Sequence, residues 1–523
     1  MTLTDADTQI DTIAFLSRPE TYGNNVKAVE RCDTHGAIVF LAGKRAFKLK
    51  RALRYSYMDY STTECRHNMC EAELEANRDA APNLYLCVKP VIRDVNGLFR
   101  IGRSKEKTGA VDWLVVMRRF EQSALFEKLR LRGQLTPSLI RELAKTVYTF
   151  HSKAAHHDSF GGKGAIKDVI NENIQILNQM SGAPFHREKI GQLAMLSYDA
   201  LKAQEALLEQ RRQGGYVRRC HGDLHLNNIF LEMGKPVLFD AIEFRDDFTC
   251  IDVLYDLAFL LMDLDRHNLR GYANLLLNSY LDLADDYQGL PALPLFLSCR
   301  AAIRAHVSVS MAQRAQTGDL DNYIDQAKRL LDMAIQYLEP SRKQLIALGG
   351  LSGTGKSTLA IAVAPLLGQA PGAIVLRSDV IRKRIWKVDL QSRLPQAAYS
   401  STITNQVYAT IAREAKRILD CGYSVIADAV FGQPTERAQI AAVADNNVCA
   451  FFSVWLDAPL AILEQRVAAR QNDASDATIE VLHSQLRKVR RPNNWPMIDA
   501  SMSPVSIVDK MARLLHVSQS SIT

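Results

Sequence analysis

The sequence predicts a multidomain protein of mixed α/β and α+β class: a small β-rich lobe, a helical lobe, and a separate parallel-sheet unit. Three observations predict it. The chain has 523 residues, 47% of them hydrophobic, more than one compact core holds at roughly 100–200 residues per domain. Short apolar runs alternate with turn residues between Val26 and Lys50, whereas from about Ser123 onward apolar residues recur at helical spacing. At Glu339-Pro340-Ser341-Arg342-Lys343 the helical pattern YIDQAKRLLDMAIQYL gives way to the apolar run QLIALGG, with proline as the stop between helix and buried strand. The boundaries drawn from this are 1–122, 123–339 and 344–523.

In the first lobe, VKAVER, AIVFLA and AFKLK read as strands separated by the turns CDTHG and GKR. A helix follows across Glu64–Arg78, then a strand pair, LYLCVKPVIR and WLVVMRRF, around the turn at Asn96-Gly97. One stretch interrupts the helical lobe: HGDLHLNNIFLEMGKPVLFDAIEF reads as a loop plus a short hairpin. In the last unit AIVLRSD, YSVIAD and NVCAFFSVWLDAP are apolar runs ending at or near Asp379, Asp428 and Asp457. Parallel strands deliver carboxylates to the ligand edge of an α/β sheet in this way. LAILEQRVAARQNDASDAT then reads as a helix carrying Arg466 and Arg470 on one face, followed by an acidic loop.

Composition narrows the function. The most apolar stretches, such as VLYDLAFLLMDL, are too short to span a bilayer and carry aspartates. The N-terminus, MTLTDADTQID, is acidic and lacks the apolar core of a secretory signal. Nine cysteines without CxxC spacing read as reduced thiols rather than a disulfide framework. A cytoplasmic location is expected, with no membrane partner. Residues 1–340 hold 43 basic and 43 acidic side chains, and residues 341–523 hold 21 and 14. The positive excess therefore sits in the last unit and points to an anionic ligand there, though it is too small to mark a duplex-binding surface.

The first constellation is His221-Gly222-Asp223-Leu224-His225-Leu226-Asn227-Asn228, followed by Asp240 at the end of the apolar run Val237–Phe239. Phosphoryl transfer from a nucleotide needs a carboxylate near the acceptor hydroxyl, oxygen ligands for Mg²⁺ and a cation on the transferred chain. An Asp…Asn loop and a strand-terminal Asp supply the first two, whereas an isolated HGD is no more than a polar turn. On these residues the segment from about 25 to 335 resembles the aminoglycoside phosphotransferase and choline kinase superfamily. The resemblance implies a protein-kinase-like bilobal fold using ATP. It makes Asp223 the residue that orients or deprotonates the acceptor hydroxyl, Asn228 and Asp240 the Mg²⁺ ligands, and Asp256 a buried brace for the catalytic loop, which His221 helps to hold. Lys48 and Lys50 fall on the same face of their strand, so periodicity does not choose between them. The resemblance favours Lys48 as the phosphate lysine, with Glu73, or else Glu71, as its partner and Met117 near the adenine. No GxGxxG precedes that strand, and Glu243 follows Asp240 where protein kinases have a glycine nearby. His151, His156 and His157 have no second cluster to complete a metal site and read as solvated or capping residues.

The second constellation is Gly350-Leu351-Ser352-Gly353-Thr354-Gly355-Lys356-Ser357-Thr358, a full G-x-x-x-x-G-K-[ST] match between an apolar strand and the helical run TLAIAVAPLL. Such a loop turns backbone N–H groups onto phosphates, with Lys356 reaching the β/γ oxygens and the Ser357 hydroxyl ligating Mg²⁺. With these flanks, residues 344–515 resemble P-loop nucleoside-monophosphate-kinase-like proteins, a group that includes gluconate and shikimate kinases, zeta toxins and polynucleotide 5′-hydroxyl kinases. The resemblance implies a P-loop NTPase parallel sheet, with Asp379 as base, Arg382 and Arg437 as acceptor clamps, and Arg466 and Arg470 as lid arginines. The run Arg382-Lys383-Arg384, with Lys387 and Arg393, either faces an anionic acceptor or forms a solvated helix face.

The whole fusion is similar to a bacterial group described as bifunctional aminoglycoside phosphotransferase-like and ATP-binding proteins. The expected function is ATP–Mg²⁺-dependent phosphoryl transfer to hydroxyl groups of small molecules at two nucleotide sites. Two alternatives stand beside it: a regulator in which the P-loop unit gates its neighbour, and a 5′-hydroxyl nucleotide or RNA kinase in the C-terminal half.

Overall fold

A computed structural model describes residues 5–34, 36–55, 58–180, 184–312, 320–469 and 475–515. The chain falls into two compact units, one of Met1–Ile166 with Leu208–Leu260 and one of Lys167–Leu207 with Leu261–Thr523. The boundaries drawn from the sequence run differently, because helical periodicity reports that a segment is helical and not which neighbours it packs against. No helix among the described residues is long and apolar enough to cross a membrane. All nine cysteines are free thiols.

The first unit is built on six antiparallel strands: β1 (Val29–Asp33), β2 (Ala37–Ala42), β3 (Arg45–Lys50), β4 (Tyr85–Arg93), β5 (Phe99–Ile101) and β6 (Ala110–Arg118). Their order is β1-β2-β3-β6-β4-β5. The structure runs β1 on to Asp33, into the expected turn, and the Asn96-Gly97 turn leads into β5, a strand too short to register as a pattern. Alternation along β3 sets the two faces. Phe47 and Leu49 join Leu16, Ile38, Phe40, Leu114 and Val116 in one core. Ala46 lies on the other face with Cys70, Val115, Met117 and Phe230, and Lys48 and Lys50 share that face by period-two geometry. Helix Thr63–Ala76, N-capped by the Thr62 hydroxyl, covers this second face with Arg66, Cys70 and Glu73 turned inward.

The unit's remaining strands are β7 (Val217–Arg219), β8 (Ile229–Glu232), β9 (Lys235–Leu238) and β10 (Cys250–Asp252). β8 and β9 form the expected hairpin. β7 pairs with β10, and the buried Arg211 guanidinium clasps Asp252 at 2.6 and 2.8 Å.

The second unit holds a five-stranded parallel sheet: β11 (Gln344–Gly350), β12 (Ile374–Arg377), β13 (Val425–Asp428), β14 (Ala450–Asp457) and β15 (Met497–Asp499). Its order is β12-β13-β11-β14-β15, with the glycine-rich loop leaving the central strand. Both faces of the inner strands β11 and β13 are buried, as parallel sheets require. β12 is an edge strand with unpaired backbone groups. Asn278, on helix Arg270–Ala284, occupies that edge: its Oδ1 accepts from Val375 N at 2.7 Å and its Nδ2 donates to Ala373 O at 3.2 Å. Asn274 Nδ2 donates to the same carbonyl at 3.0 Å.

Arg384 closes the C-terminal end of that helix. Its Nη2 donates to Leu281 O at 2.8 Å, its Nε to Asp282 O at 3.0 Å and its Nη1 to Asp285 at 3.0 Å. The guanidinium satisfies carbonyls a helix terminus otherwise leaves without partners. Arg384→Ala is expected to destabilise this unit by about 2–3 kcal/mol, the worth of several partly buried charge-assisted bonds. Calorimetric or urea unfolding that moves by less than about 0.5 kcal/mol, the scatter of ordinary surface changes, would show the network to be ornamental.

Candidate active sites

In the first unit, the segment from His221 to Glu243 builds one site. Asp256 sits fully buried beneath it. Its carboxylate accepts from Gly222 N at 2.8 Å and His221 N at 3.2 Å, and His151 Nε2 lies 3.1 Å away. His151 is thus buried and bonded rather than solvated or capping, while His156 is exposed. His151, Cys220 and Asp256 bring potential ligand atoms within 4.8 Å of one another, but the Asp256 oxygens already serve the loop. Burial lowers the His221 pKa, and the ring contacts Phe239 O through Nε2 at 2.9 Å. The neutral ring therefore carries its proton on Nε2, since only a donor satisfies a carbonyl.

Above this brace, Asn228 Nδ2 donates to both the backbone O and Oδ2 of Asp223 at 3.0 Å. His225 Nδ1 accepts from Asn227 N at 3.2 Å, which leaves the proton on Nε2, and that atom lies 3.3 Å from Asp223 Oδ2. The Asp223 side chain is 37% exposed, so it is held from within and open outward. Asp240 follows β9 at φ +63°, a left-handed conformation Asp tolerates better than most residues. The Tyr85 hydroxyl accepts from its N–H at 3.1 Å.

The structure brings the β3 lysines to the same place. Lys48 Nζ lies 2.8 Å from Glu73 Oε1 and 2.6 Å from Asp240 Oδ1. Lys50 Nζ lies 2.6 Å from Glu73 Oε2 and 2.5 Å from Glu243 Oε1. Glu73, not Glu71, is therefore the partner of both lysines, and Lys48 is the lysine that reaches Asp240. Met117 is buried on β6, in register with Ala46 and Tyr85.

Burial alone would raise the Glu73 carboxyl, but the two ammonium groups outweigh it and bring it down to about 2. A depressed carboxylate contributes stability that is complete above its unfolded pKa and lost as the pH falls toward its folded value. Between about pH 5 and about pH 3, wild-type stability is therefore expected to fall more steeply than that of Glu73→Gln. Parallel slopes in calorimetric melts across that window would refute the coupling.

The second unit's site is assembled at the C-terminal ends of β11, β12 and β13. Gly350 has φ +139°, and a Cβ there would lie 2.5 Å from Leu456 O; Gly353 has φ +88°, and a Cβ would meet Leu463 O at 2.9 Å. Both glycines are needed where the loop presses on neighbouring backbone. Ser352 N donates to Gln485 Oε1 at 2.9 Å and the Thr354 hydroxyl to Leu351 O at 2.8 Å. Leu351 is buried, Gly355 stands in the left-handed region at the start of helix Lys356–Val363, and Thr358 is exposed. Lys356 Nζ arches back to Gly350 O and Leu351 O, both at 2.9 Å. Ser357 Oγ donates to Asp428 Oδ2 at 2.5 Å. Burial raises the Asp428 pKa, and Lys356 and Arg377 oppose that rise.

Asp428 and Arg377 are partners that sequence reasoning left out of the site, although Asp428 was visible as a strand-terminal carboxylate. Asp379 does not end a strand: β12 stops at Arg377, and Asp379 lies in the first turn of helix Ser378–Ile385. It remains near enough to push the Asp428 carboxyl upward.

Within the basic run, Arg382, Lys383 and Arg384 are engaged by the surrounding fold, whereas Lys387 and Arg393 are exposed. Arg382 is buried, donates to Ala398 O at 2.6 Å, stacks 4.9 Å above the Tyr399 ring and keeps its Nε without a partner. Lys383 Nζ reaches Leu390 O at 2.7 Å and Asp476 at 3.1 Å, and Arg384 caps the helix described above. Arg437 Nη1 ties Phe431 O at 2.7 Å to Arg490 O at 3.1 Å. Arg466 is exposed on helix Leu460–Ala468, the helix whose Leu463 and Val467 press on Gly353. Arg470 lies outside the described residues.

Each site contains a donor set fit for a hard divalent cation and phosphates. Asn228 commits its Nδ2 to Asp223 and so leaves its amide oxygen for a cation, with its backbone O accepting from Phe239 N, next to Asp240 in the chain, while Ser357 offers a hydroxyl beside Asp428.

Residues 105–293 match the family model described as the phosphotransferase enzyme family, and residues 345–492 match the one described as an AAA domain. An uncharacterized protein of Mycobacterium tuberculosis is 29% identical over 456 residues, covering 86% of this chain and 88% of its own. Among solved structures, a choline/ethanolamine kinase family protein from Mesorhizobium loti is 13% identical, covers 63% of this chain and 98% of its own, and has a TM-score of 0.38. A sugar kinase from a Janibacter species is 18% identical, covers 35% of this chain and 99% of its own, and has a TM-score of 0.27. The chain thus carries one segment that matches the phosphotransferase enzyme family model and a second, holding the glycine loop, that matches the AAA-domain model. Asp223, Asn228, Asp240 and Asp256 lie inside the first match, whereas Lys48 and Glu73 precede it.

Proposed function

We propose that this chain is an ATP- and Mg²⁺-dependent phosphotransferase with two nucleotide sites, each passing a phosphoryl group to a hydroxyl group of a small molecule. The observation that supports the reading is that each unit gathers side chains suited to that chemistry. In the first unit the set is Lys48, Glu73, Asp240, Asn228 and Asp223. In the second it is the glycine loop with Lys356, Ser357, Asp428 and Asp379.

At the N-terminal site, Asn228 and Asp240 would hold the cation, Lys48 would meet the phosphates, and Asp223 would orient the acceptor hydroxyl or take its proton. At the C-terminal site, Ser357, backed by Asp428, would hold the cation, and Asp379 would be the base. The bound cation supplies charge neutralisation for the transferring group. Arg382, buried with its Nε unpartnered, is kept as the acceptor arginine on the resemblance, while Lys383 and Arg384 are engaged within the unit and add nothing to a polynucleotide acceptor, whose support is the positive excess of residues 341–523.

The test compares wild type, Asp223→Asn and Lys356→Ala, each with Mg²⁺-ATP and a panel of aminoglycosides, sugars, nucleosides and 5′-hydroxyl oligonucleotides. Each substitution is expected to remove labelling of a different acceptor by at least about a hundredfold, the usual weight of one catalytic acid–base or phosphate-binding group. If Lys356→Ala silences the chemistry that depends on Asp223, the P-loop unit is a switch and the two-site reading fails.

A further inference from the structure

The N-terminal site contains one buried cation that its chemistry does not use. Lys50 has a side chain only 2% exposed, against 14% for Lys48, so it is sealed away from any ligand. Its ammonium nevertheless joins two carboxylates from distant parts of the chain, Glu73 Oε2 on helix Thr63–Ala76 and Glu243 Oε1 three residues beyond Asp240. The Tyr60 hydroxyl donates to the same Glu243 oxygen at 2.6 Å, and the Tyr60 ring stands 4.9 Å from the ammonium. Gln9 Nε2 fixes the backbone at this point by donating to Lys50 O at 2.7 Å. A buried ammonium is costly unless fully paired, and here the pairing is complete.

We propose that Lys50 is a positioning residue: it pins Glu73 and the turn after Asp240 so that Lys48 is presented to the nucleotide phosphates on a one-point tether. This rests on the reading of the N-terminal site given above. Glu73 is a shared carboxylate, with one oxygen for each lysine. If Lys50 did not hold Oε2, both oxygens would draw on Lys48, and a two-point grip would pull that ammonium out of line with the reacting phosphates. The Glu243 arm acts on the other side of the site, where it anchors the turn that leads away from Asp240 at its left-handed φ of +63°. Lys50 thus fixes Glu73, which pairs with the working lysine, and Glu243, which follows Asp240 in the chain, without touching the ligand. Periodicity leaves the two lysines of β3 equivalent; burial and partners give them different tasks.

The cluster holds two ammonium groups and three carboxylates. Replacing Lys50 alone would strand buried charge and endanger folding. The double variant Lys50→Met/Glu243→Gln removes one charge of each sign, keeps the lysine stem, and leaves an amide oxygen for the Tyr60 hydroxyl. It is made in Lys356→Ala protein, which silences the P-loop site, and it is compared with Lys50→Arg and with the Lys356→Ala parent.

Amide exchange in nucleotide-free protein is expected to quicken at least about fivefold across Thr63–Ala76 in the double variant, as the helix loses its anchor. Turnover of Mg²⁺-ATP is expected to drop about tenfold or more in kcat with KM changed less than about threefold, because the defect lies in aligning the reacting phosphates. Lys50→Arg, which still bridges two carboxylates, recovers part of kcat. Exchange and kcat both within about twofold of the parent would overturn the proposal. So would a kcat loss matched by loss of folded protein in calorimetry. If turnover in the parent does not depend on Asp223, the reading of the site itself is refuted, and the exchange result, which needs no nucleotide, still decides whether Lys50 holds the Glu73 helix.

Discussion

Asp428→Asn is expected to lower ATP turnover at the C-terminal site at least about a hundredfold, equivalent to roughly 2.7 kcal/mol of transition-state stabilisation, while leaving the fold as stable as before or more so. Both halves follow from one position. Asp428 ends β13, is 4% exposed, and holds the Ser357 hydroxyl at 2.5 Å. Burial raises its carboxyl above the ordinary aspartate range despite Lys356 and Arg377. A carboxyl raised in the fold contributes stability that is complete below its unfolded pKa and lost as the pH rises through the folded value. At neutral pH the charged Asp428 is therefore a burden on folding. Asparagine removes that burden and still accepts from Ser357, but it carries no charge to hold a cation against the hydroxyl. The measurement pairs calorimetry with ATP turnover in an Asp223→Asn background, which isolates the C-terminal site. A lower melting midpoint with turnover intact would make Asp428 an ordinary structural carboxylate.

The contrast between the two sites explains what was legible in the sequence. The glycine loop is contiguous, and its strand and helix flanks are local, so Gly350 through Thr358 could be read directly. Asp223, Asn228 and Asp240 are nearly as local, with their spacing set by one loop and one hairpin. Lys48 against Lys50 was not legible, because a period of two gives both the same face, and the difference lies in Asp240 and Glu243, about 190 residues away. The partners of Arg382, Lys383 and Arg384 on helix Ser378–Ile385 were not legible for the same reason. Whether an arginine meets solvent, an acceptor or a helix end depends on what the fold places opposite it. For Arg384 that is the end of helix Arg270–Ala284, some 100 residues earlier. Asp379 looked like the end of a strand because it closes the polar triplet Arg377-Ser378-Asp379 that follows the apolar run, and only backbone pairing marks Arg377 as the last strand residue.

Asp256 marks where structure and chemistry at the N-terminal site cannot be separated by a conservative change, and Asp256→Ala is expected to have the larger effect of the two substitutions argued here. The carboxylate is fully buried and accepts from the amides of His221 and Gly222, with His151 against it. Alanine leaves at least two buried N–H groups without an acceptor. Each such group costs about 1–3 kcal/mol, and the loss of a buried charged hub raises the total to about 3–5 kcal/mol. Asparagine is no rescue: it keeps one acceptor oxygen but turns an N–H₂ donor toward groups that are themselves donors. The loop bearing Asp223 starts at those two amides, so the Asp223 carboxylate loses its position along with its support. Turnover that depends on Asp223 is expected to fall at least about a thousandfold in either variant, since misplacement by about 1 Å already costs about a hundredfold. Turnover at the P-loop site is expected to persist at low temperature, where that unit stays folded. The decisive measurement is hydrogen exchange at the His221 and Gly222 amides together with Asp223-dependent turnover. Protected amides and retained turnover in Asp256→Asn would show that the loop is held by its hairpin and not by the aspartate beneath it.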